Sequence, residues 1–288
     1  VSRSGPKSEY DKGWINKLQE NGINVMIEKL DLSSSEEVKA MIEGVNAHAP
    51  IAGVIHGAAV LQDSTIQRMD KALFEKVFIP KAIGAWNLHL ATEKLKLDFF
   101  LSLSSISAVF GLPGQANYSS ANNFLDKLVA YRKSKGLRAQ SVNLGVLGQY
   151  AGMSKEGGNV LKVLENQGWL PMTMKQVTAK IERILLEGDV VRMAANIDWI
   201  RFRDFFHHLK SDGKFKHLLS DKNLKGDGAS SAGNSLKDQL IAANGDGKNL
   251  LVQNLVDALA KILGTTPEKL NVNKSISAIG LDSLMMNQ

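Results

Sequence analysis

The sequence predicts an α/β fold built on a parallel, doubly wound sheet. Short apolar runs recur at 51–56, 99–104, 140–144 and 190–197. Runs of that length, bounded by turn signals, are the pattern of strands buried on both faces. Longer segments of helical periodicity lie between them, and this alternation argues for parallel strands joined by helical crossovers. The chain has 288 residues, 44% of them hydrophobic, enough for the core of one large domain and a smaller second one.

Taken in order, residues 1–5 read as a strand end and turn, and 8–22 as a helix with Trp14 and Leu18 on one face. Residues 23–30 read as a strand, followed by Asp31-Leu32-Ser33. Ser33 or Ser34 with Glu36 and Glu37 is a helix-start signal leading into 38–45. A buried strand at 51–56 comes next, then one long helix over 72–95 that carries Lys81. The strand at 99–104, the helix at 118–135 and the strand at 140–144 follow. Residues 145–174 are glycine-rich and irregular at first, then partly helical. A helix at 177–186 and a final strand at 190–197 close this part. From Ser211 the composition shifts, and 227–234 is a small, polar run of linker type. Beyond it, Leu251, Leu255, Ala258, Leu259 and Ile262 repeat at helical spacing. The expected division is a first domain over 1–210, a flexible linker over 211–247 and a small helical domain over 248–288. Val1 falls on a strand end and Gln288 inside an apparent helix, so both ends read as interior to a longer polypeptide.

Bulk properties narrow the function. A net charge of +6 from scattered residues gives no basic patch, so no nucleic-acid partner is expected. With no cysteine there is neither a disulfide nor a thiolate metal site, which is compatible with a reducing cytoplasm. The histidines lack ligand spacing, and His207-His208 reads as solvent-facing, so no metal is expected. No apolar run reaches the ~20 residues of a membrane span, and no signal peptide opens the chain.

The chemistry concentrates in Leu103-Ser104-Ser105-Ile106 and Gly114-Gln115-Ala116-Asn117-Tyr118-Ser119-Ser120-Ala121-Asn122. A strand ends in hydroxyls and a tyrosine opens the next helix. Ser105 lies thirteen residues before Tyr118, and Asn122 four after it. A phenol and a serine hydroxyl brought to one carbonyl oxygen are an arrangement for proton donation during hydride transfer to a ketone. The pair is similar to that of the short-chain dehydrogenase/reductase superfamily. Most members of that superfamily carry lysine four residues after the tyrosine. Here Asn122 stands there, and the lysine is Lys81 in Pro80-Lys81-Ala82-Ile83-Gly84-Ala85-Trp86-Asn87. With His56-Gly57-Ala58-Ala59 in order before it, this exchange resembles the ketoreductase domain of polyketide synthases and animal-type fatty acid synthases, over residues 1–205.

The resemblance implies a Rossmann-like sheet lacking its first strand, and a site of Tyr118, Ser105, Lys81 and Asn122. Tyr118 would be the acid, with the Lys81 ammonium lowering its pKa from the usual ~10. Ser105 would hold the substrate carbonyl, and Asn122 a proton relay to Lys81. The implied cofactor is NADPH. Ser2 and Arg3 would meet its 2′-phosphate, for which a planar guanidinium is suited. Asp31 and Leu32 would lie beside the adenine, and Gly57 and Ala58 would allow close backbone approach. The glycine-rich pyrophosphate loop that should precede Ser2 does not occur in this sequence, so binding of NADPH is expected to be incomplete here. Asp63 points to the configuration named B-type, whose counterpart goes with a tryptophan where Phe110 stands. Gly152-Met153 and the helix after them would form a lid.

Gly280-Leu281-Asp282-Ser283-Leu284 resembles the attachment motif of acyl carrier proteins, which implies 4′-phosphopantetheine on Ser283 and a phosphopantetheinyl transferase as partner. The resulting expectation is a piece of a multifunctional synthase that reduces a carrier-bound β-ketoacyl thioester, with the other synthase domains as partners. The alternative is a non-reducing scaffold domain of the same kind of multienzyme. The intact Lys81, Ser105, Tyr118 and Asn122 set argues against it.

Overall fold

The computed structural model describes residues 1–6, 8–148, 157–188, 191–206, 209, 213–215, 217–219, 247–262 and 266–270. In chain order the elements are α1 (Glu9–Glu20), α2 (Ser35–His48), β1 (Gly53–His56), α3 (Lys71–Phe78), α4 (Gly84–Thr92), β2 (Phe99–Ser105), α5 (Ser107–Phe110), α6 (Ala116–Ser134), β3 (Gln140–Leu144), α7 (Gly157–Asn166), β4 (Trp169–Leu170), α8 (Met174–Glu187), β5 (Val191–Ala194), β6 (Asn196–Ile197), α9 (Trp199–Phe205) and α10 (Gly247–Ile262). The chain divides into two compact units, one of 1–144 with 178–194 and one of 145–177 with 195–288.

The first unit is built on a four-stranded sheet in the order β1-β2-β3-β5, parallel throughout. Successive strand residues face opposite sides, and β2 uses both. Phe100 joins Val38 and Ile42 of α2, Ala85 and Leu88 of α4, and Leu125 and Leu128 of α6. Leu101 joins Val142, Ala194 and Ile184 of α8 on the other side. Helices on both faces of a parallel sheet are the doubly wound layering expected. Toward its C-terminal edge the α6 side turns polar, with Ser102, Ser104, Ser141 and Asn143 all buried. That edge is where open α/β sheets bind ligands.

Helix starts follow the sequence signals. Ser8 and Asp11 form a capping box at α1, and the Ser34 hydroxyl accepts from the Glu37 amide at α2. Three expectations need correction. The strand end expected at 1–5 and the strand expected at 23–30 meet in one parallel bridge, Ser2 with Lys29, and the rest of 23–30 forms no strand. Strand formation is chiefly packing on a pleated surface, and Ile23, Met26 and Ile27 remain exposed, as do Tyr10, Trp14 and Leu18 of α1. The helix over 72–95 is interrupted by a π turn, Ile79–Ile83, between α3 and α4. The strand at 190–197 splits, so that β5 joins the parallel sheet and β6 pairs antiparallel with β4.

In the second unit, Trp169 is buried against the Phe202 ring at 4.9 Å and the Phe206 ring at 6.2 Å. Gly168 precedes it at φ +91, where a Cβ would lie 2.6 Å from the Phe202 amide nitrogen. Only glycine meets both demands. The helical spacing of Leu251, Leu255, Ala258, Leu259 and Ile262 corresponds to α10. The linker run 227–234, the lid residues Gly152 and Met153, and Ser283 with its motif lie outside the described residues.

Candidate active site

Lys81 lies in the π turn. Pro80 has no N–H to give to the helix ladder, and π turns are local expansions of a helix that recur at functional sites. His56, at the end of β1, secures the widened turn with its Nε2 2.8 Å from the Lys81 carbonyl oxygen. A carbonyl only accepts, so Nε2 carries the proton. Burial pushes the His56 pKa from 6.5 to about 4, and the ring is neutral at neutral pH. The Lys81 side chain is buried in turn. Its Nζ donates to the Leu103 carbonyl at 2.9 Å and the Ala58 carbonyl at 3.4 Å. Nζ also stands 5.5 Å from the centre of the Tyr118 ring. Desolvation lowers its pKa to about 8, against an opposing pull from the Asp126 charge.

Tyr118 sits in the first turn of α6. Asn117, fully buried, accepts the Tyr118 amide at 2.8 Å and donates to the carbonyls of Gln62 at 2.9 Å and Leu73 at 3.4 Å. Gln115 donates to the Asp63 carboxylate at 3.1 Å, and the Ser64 amide donates to the Gly114 carbonyl at 2.8 Å. Loop 62–64 is thus strapped to the start of the tyrosine helix. Asp63, singled out for stereochemistry, is one end of that strap.

Ser105 ends β2, and its Oγ accepts the Ser107 amide at 3.2 Å. Asn122, one turn beyond Tyr118, is fully buried and donates to the Tyr118 carbonyl at 2.8 Å. Its Oδ1 makes no full hydrogen bond among the described residues. Asn122 and Ser105 nevertheless act on the Tyr118 phenol as polar neighbours, each pulling its pKa down. Desolvation is larger and raises it above 10. The expectation that Lys81 lowers the phenol is therefore corrected, since in this structure the cost of burying a phenolate wins. All four expected site residues belong to one neighbourhood between β2, the π turn and α6.

The six residues expected at the cofactor line a separate feature. Ser2, Arg3, Asp31, Leu32, Gly57 and Ala58 all border one cavity of about 640 Å³. None of Lys81, Ser105, Tyr118 and Asn122 lines it, but three cavity residues adjoin Lys81: Ala58, whose carbonyl accepts from its amine, His56, which bonds its carbonyl, and Pro80 before it. Asp31 accepts the Ser33 amide at 2.9 Å. That bond, a second one from the Ser33 side chain and the Arg3 charge hold its carboxyl below the usual range. A guanidinium, serine hydroxyls and a small-residue turn fit the adenosine phosphate end of a dinucleotide. No described helix opens onto the cavity with a glycine-rich turn for a pyrophosphate.

Residues 1–149 match the family model described as KR domain. The chain belongs to the KR domain family. These are the ketoreductase domains of polyketide synthases, with a fold of the short-chain dehydrogenase/reductase kind. Over 293 residues the KR chain is 30% identical to the highly reducing polyketide synthase frbB of Dothideomycetidae sp. (strain 11243), covering 99% of this chain and 11% of that protein. Over 199 residues it is 36% identical to the polyketide synthase GfsE of Streptomyces halstedii, covering 69% of this chain and 5% of that protein. It thus spans about a tenth or less of these relatives. A structure of A-type ketoreductases from a modular polyketide synthase superposes with a TM-score of 0.65 at 28% identity, covering 72% of this chain and 44% of that one. No helix among the described residues is long and apolar enough to cross a membrane, and no group of three or more potential metal ligands occurs among them.

Sequence reasoning missed two contributors to this KR site. His56 entered only as part of a matching run, and Asp126 not at all. Their partners are 25 residues away in one case and 15 to 17 in the other, beyond any local pattern.

Proposed function

We propose that the chain carries the NADPH-dependent reduction of a carrier-bound β-ketoacyl thioester to the β-hydroxyacyl product, within a multidomain polyketide synthase. The convergence of Tyr118, Ser105, Lys81 and Asn122 supports this reading most directly. The substrate's β-carbonyl oxygen takes the Tyr118 phenol proton and a hydrogen bond from the Ser105 hydroxyl. NADPH, when bound, supplies the hydride that completes the alcohol. Ser2 and Arg3 would hold its 2′-phosphate, Asp31 and Leu32 would flank the adenine, and Gly57 and Ala58 would pass beneath it.

A buried phenol with a raised pKa is fully protonated at neutral pH and ready to act as an acid. The phenolate it leaves is costly in the same desolvated place; Asn122 and Ser105 pull against that cost, and the Lys81 amine stands 5.5 Å from the centre of the ring. With a pKa of about 8, Lys81 is itself able to return a proton near neutrality. Asn122, one turn beyond Tyr118 and a polar neighbour of its phenol, would hold the relay that passes a proton toward Lys81.

The test is Tyr118→Phe in the synthase that carries this chain. Reduction of the β-ketoacyl thioester should fall by roughly 10²-fold or more, the scale of general acid catalysis, while acyl loading is unchanged. Wild-type rates of reduction in that variant would overturn the acid role.

A further inference from the structure

Tyr118, Asn122 and Asp126 are spaced four apart along α6 and share one helix face. The first two have roles in the proposed reaction, and the third has none so far. Its carboxylate, the one acidic group of α6, bonds to two side chains of β3. Oδ1 accepts the Ser141 hydroxyl at 2.6 Å, and Oδ2 accepts Asn143 Nδ2 at 2.7 Å. Asn143 Nδ2 also reaches the Ser104 hydroxyl at 3.0 Å and the Ser105 carbonyl at 3.3 Å. The Ser104 hydroxyl donates to the Asn122 carbonyl at 3.2 Å. Ser104, Asn122, Ser141 and Asn143 are each at most 3% exposed. The network therefore runs from one carboxylate to the backbone of two site residues, one on β2 and one on α6. Such a network is costly to break, because removing one partner leaves buried donors unpaired.

We propose that Asp126 is a positioning residue of the site: through Asn143 and Ser104 its carboxylate locks the end of β2 that bears Ser105 to the turn of α6 that bears Asn122. Asp126 touches neither reacting atom. It also acts at a distance on Lys81, whose titratable neighbours are His56 from β1 and Tyr118 and Asp126 from α6. Burial keeps His56 neutral and Tyr118 protonated, and the upward pull on the Lys81 pKa comes from Asp126. A negative charge there favours the Lys81 cation, in agreement with its upward pull on that pKa.

The inference rests on the proposed reduction only for its kinetic consequence. Two variants test it. Asp126→Asn keeps an acceptor for Asn143 and removes the charge. Asp126→Ala removes the acceptor of the Ser141 hydroxyl and the shortest of the three contacts of Asn143 Nδ2. In the chain labelled at lysine Cε, the resonance absent from Lys81→Arg identifies Lys81, and its titration is followed by NMR. In Asp126→Asn the midpoint should fall below the wild-type value. In the synthase, Asp126→Ala should lose at least about tenfold in kcat with KM little changed, since misplacement by ~1 Å costs up to about 10²-fold. Asp126→Asn should retain most of kcat and show its alkaline limb at lower pH. An unchanged Lys81 midpoint in Asp126→Asn, or a kcat within twofold of wild type in folded Asp126→Ala, overturns the proposal. The titration needs no substrate. A lowered midpoint in a protein whose wild type reduces no thioester would leave the link from Asp126 to Lys81 standing and remove the reductase reading instead.

Discussion

At the scale of single residues, the site is set by what burial does to three titratable groups. His56 is neutral, Tyr118 protonated and Lys81 lowered to about 8, and desolvation is the largest cause for all three. His56 makes this measurable. An unfolded chain binds a proton at His56 near 6.5, whereas the folded one refuses it until about 4. Stability from this residue is therefore complete above pH 6.5 and is lost progressively as pH falls toward about 4. The full loss is on the order of 3 kcal/mol. His56→Gln keeps an N–H for the Lys81 carbonyl and does not titrate. Urea unfolding at pH 7 and pH 4.5 should show wild type losing stability relative to the variant on acidification. A wild-type–variant difference independent of pH would contradict the neutral, buried His56. The sequence made Ser105, Tyr118 and Asn122 legible because their spacing needs only a strand end and one helix face. Lys81 was legible only through the family likeness, since nothing local marks it as buried. The direction of the Tyr118 shift was misjudged because charge is visible in a sequence and desolvation is not.

Among the elements, the informative departures lie where a partner decides the conformation. The apolar spacing of residues 72–95 suits an α-helix and a helix with one π turn equally well. The hydrogen bond from His56 to the Lys81 carbonyl singles out the widened turn, and it joins residues far apart in sequence. Residues 23–30 have the composition of a strand, yet outside the Ser2–Lys29 bridge nothing among the described residues pairs with them as one. The strands expected at 51–56, 99–104 and 140–144 correspond to β1, β2 and β3, short segments alternating with helices as a parallel sheet requires. In the second unit, Gly168 offers a test of an element junction. Its left-handed backbone and its contact with the Phe202 amide leave no room for a methyl group. Gly168→Ala should destabilise the aromatic cluster by about 1–3 kcal/mol, read as an earlier thermal transition in Trp fluorescence. An unchanged transition would mean that the turn at Gly168 does not anchor Trp169 against Phe202.

For the whole molecule, membership of the KR domain family and the layered α/β sheet agree with the sequence, while the division of labour between modules is a proposal. A carrier segment at 248–288 predicts that Ser283 is modified. With a phosphopantetheinyl transferase and coenzyme A, the synthase that carries this chain should gain one phosphopantetheine arm at Ser283, and Ser283→Ala should remove that site. An unmodified Ser283, under conditions that load a control carrier, would overturn the carrier assignment. Reduction itself is tested by supplying that synthase with a β-ketoacyl pantetheine thioester and NADPH and following cofactor consumption together with product mass. One β-hydroxyacyl thioester should form for each NADPH oxidised. Recovery of the β-keto thioester unchanged, while a control ketoreductase turns over in the same mixture, would contradict it and leave a scaffold in its place.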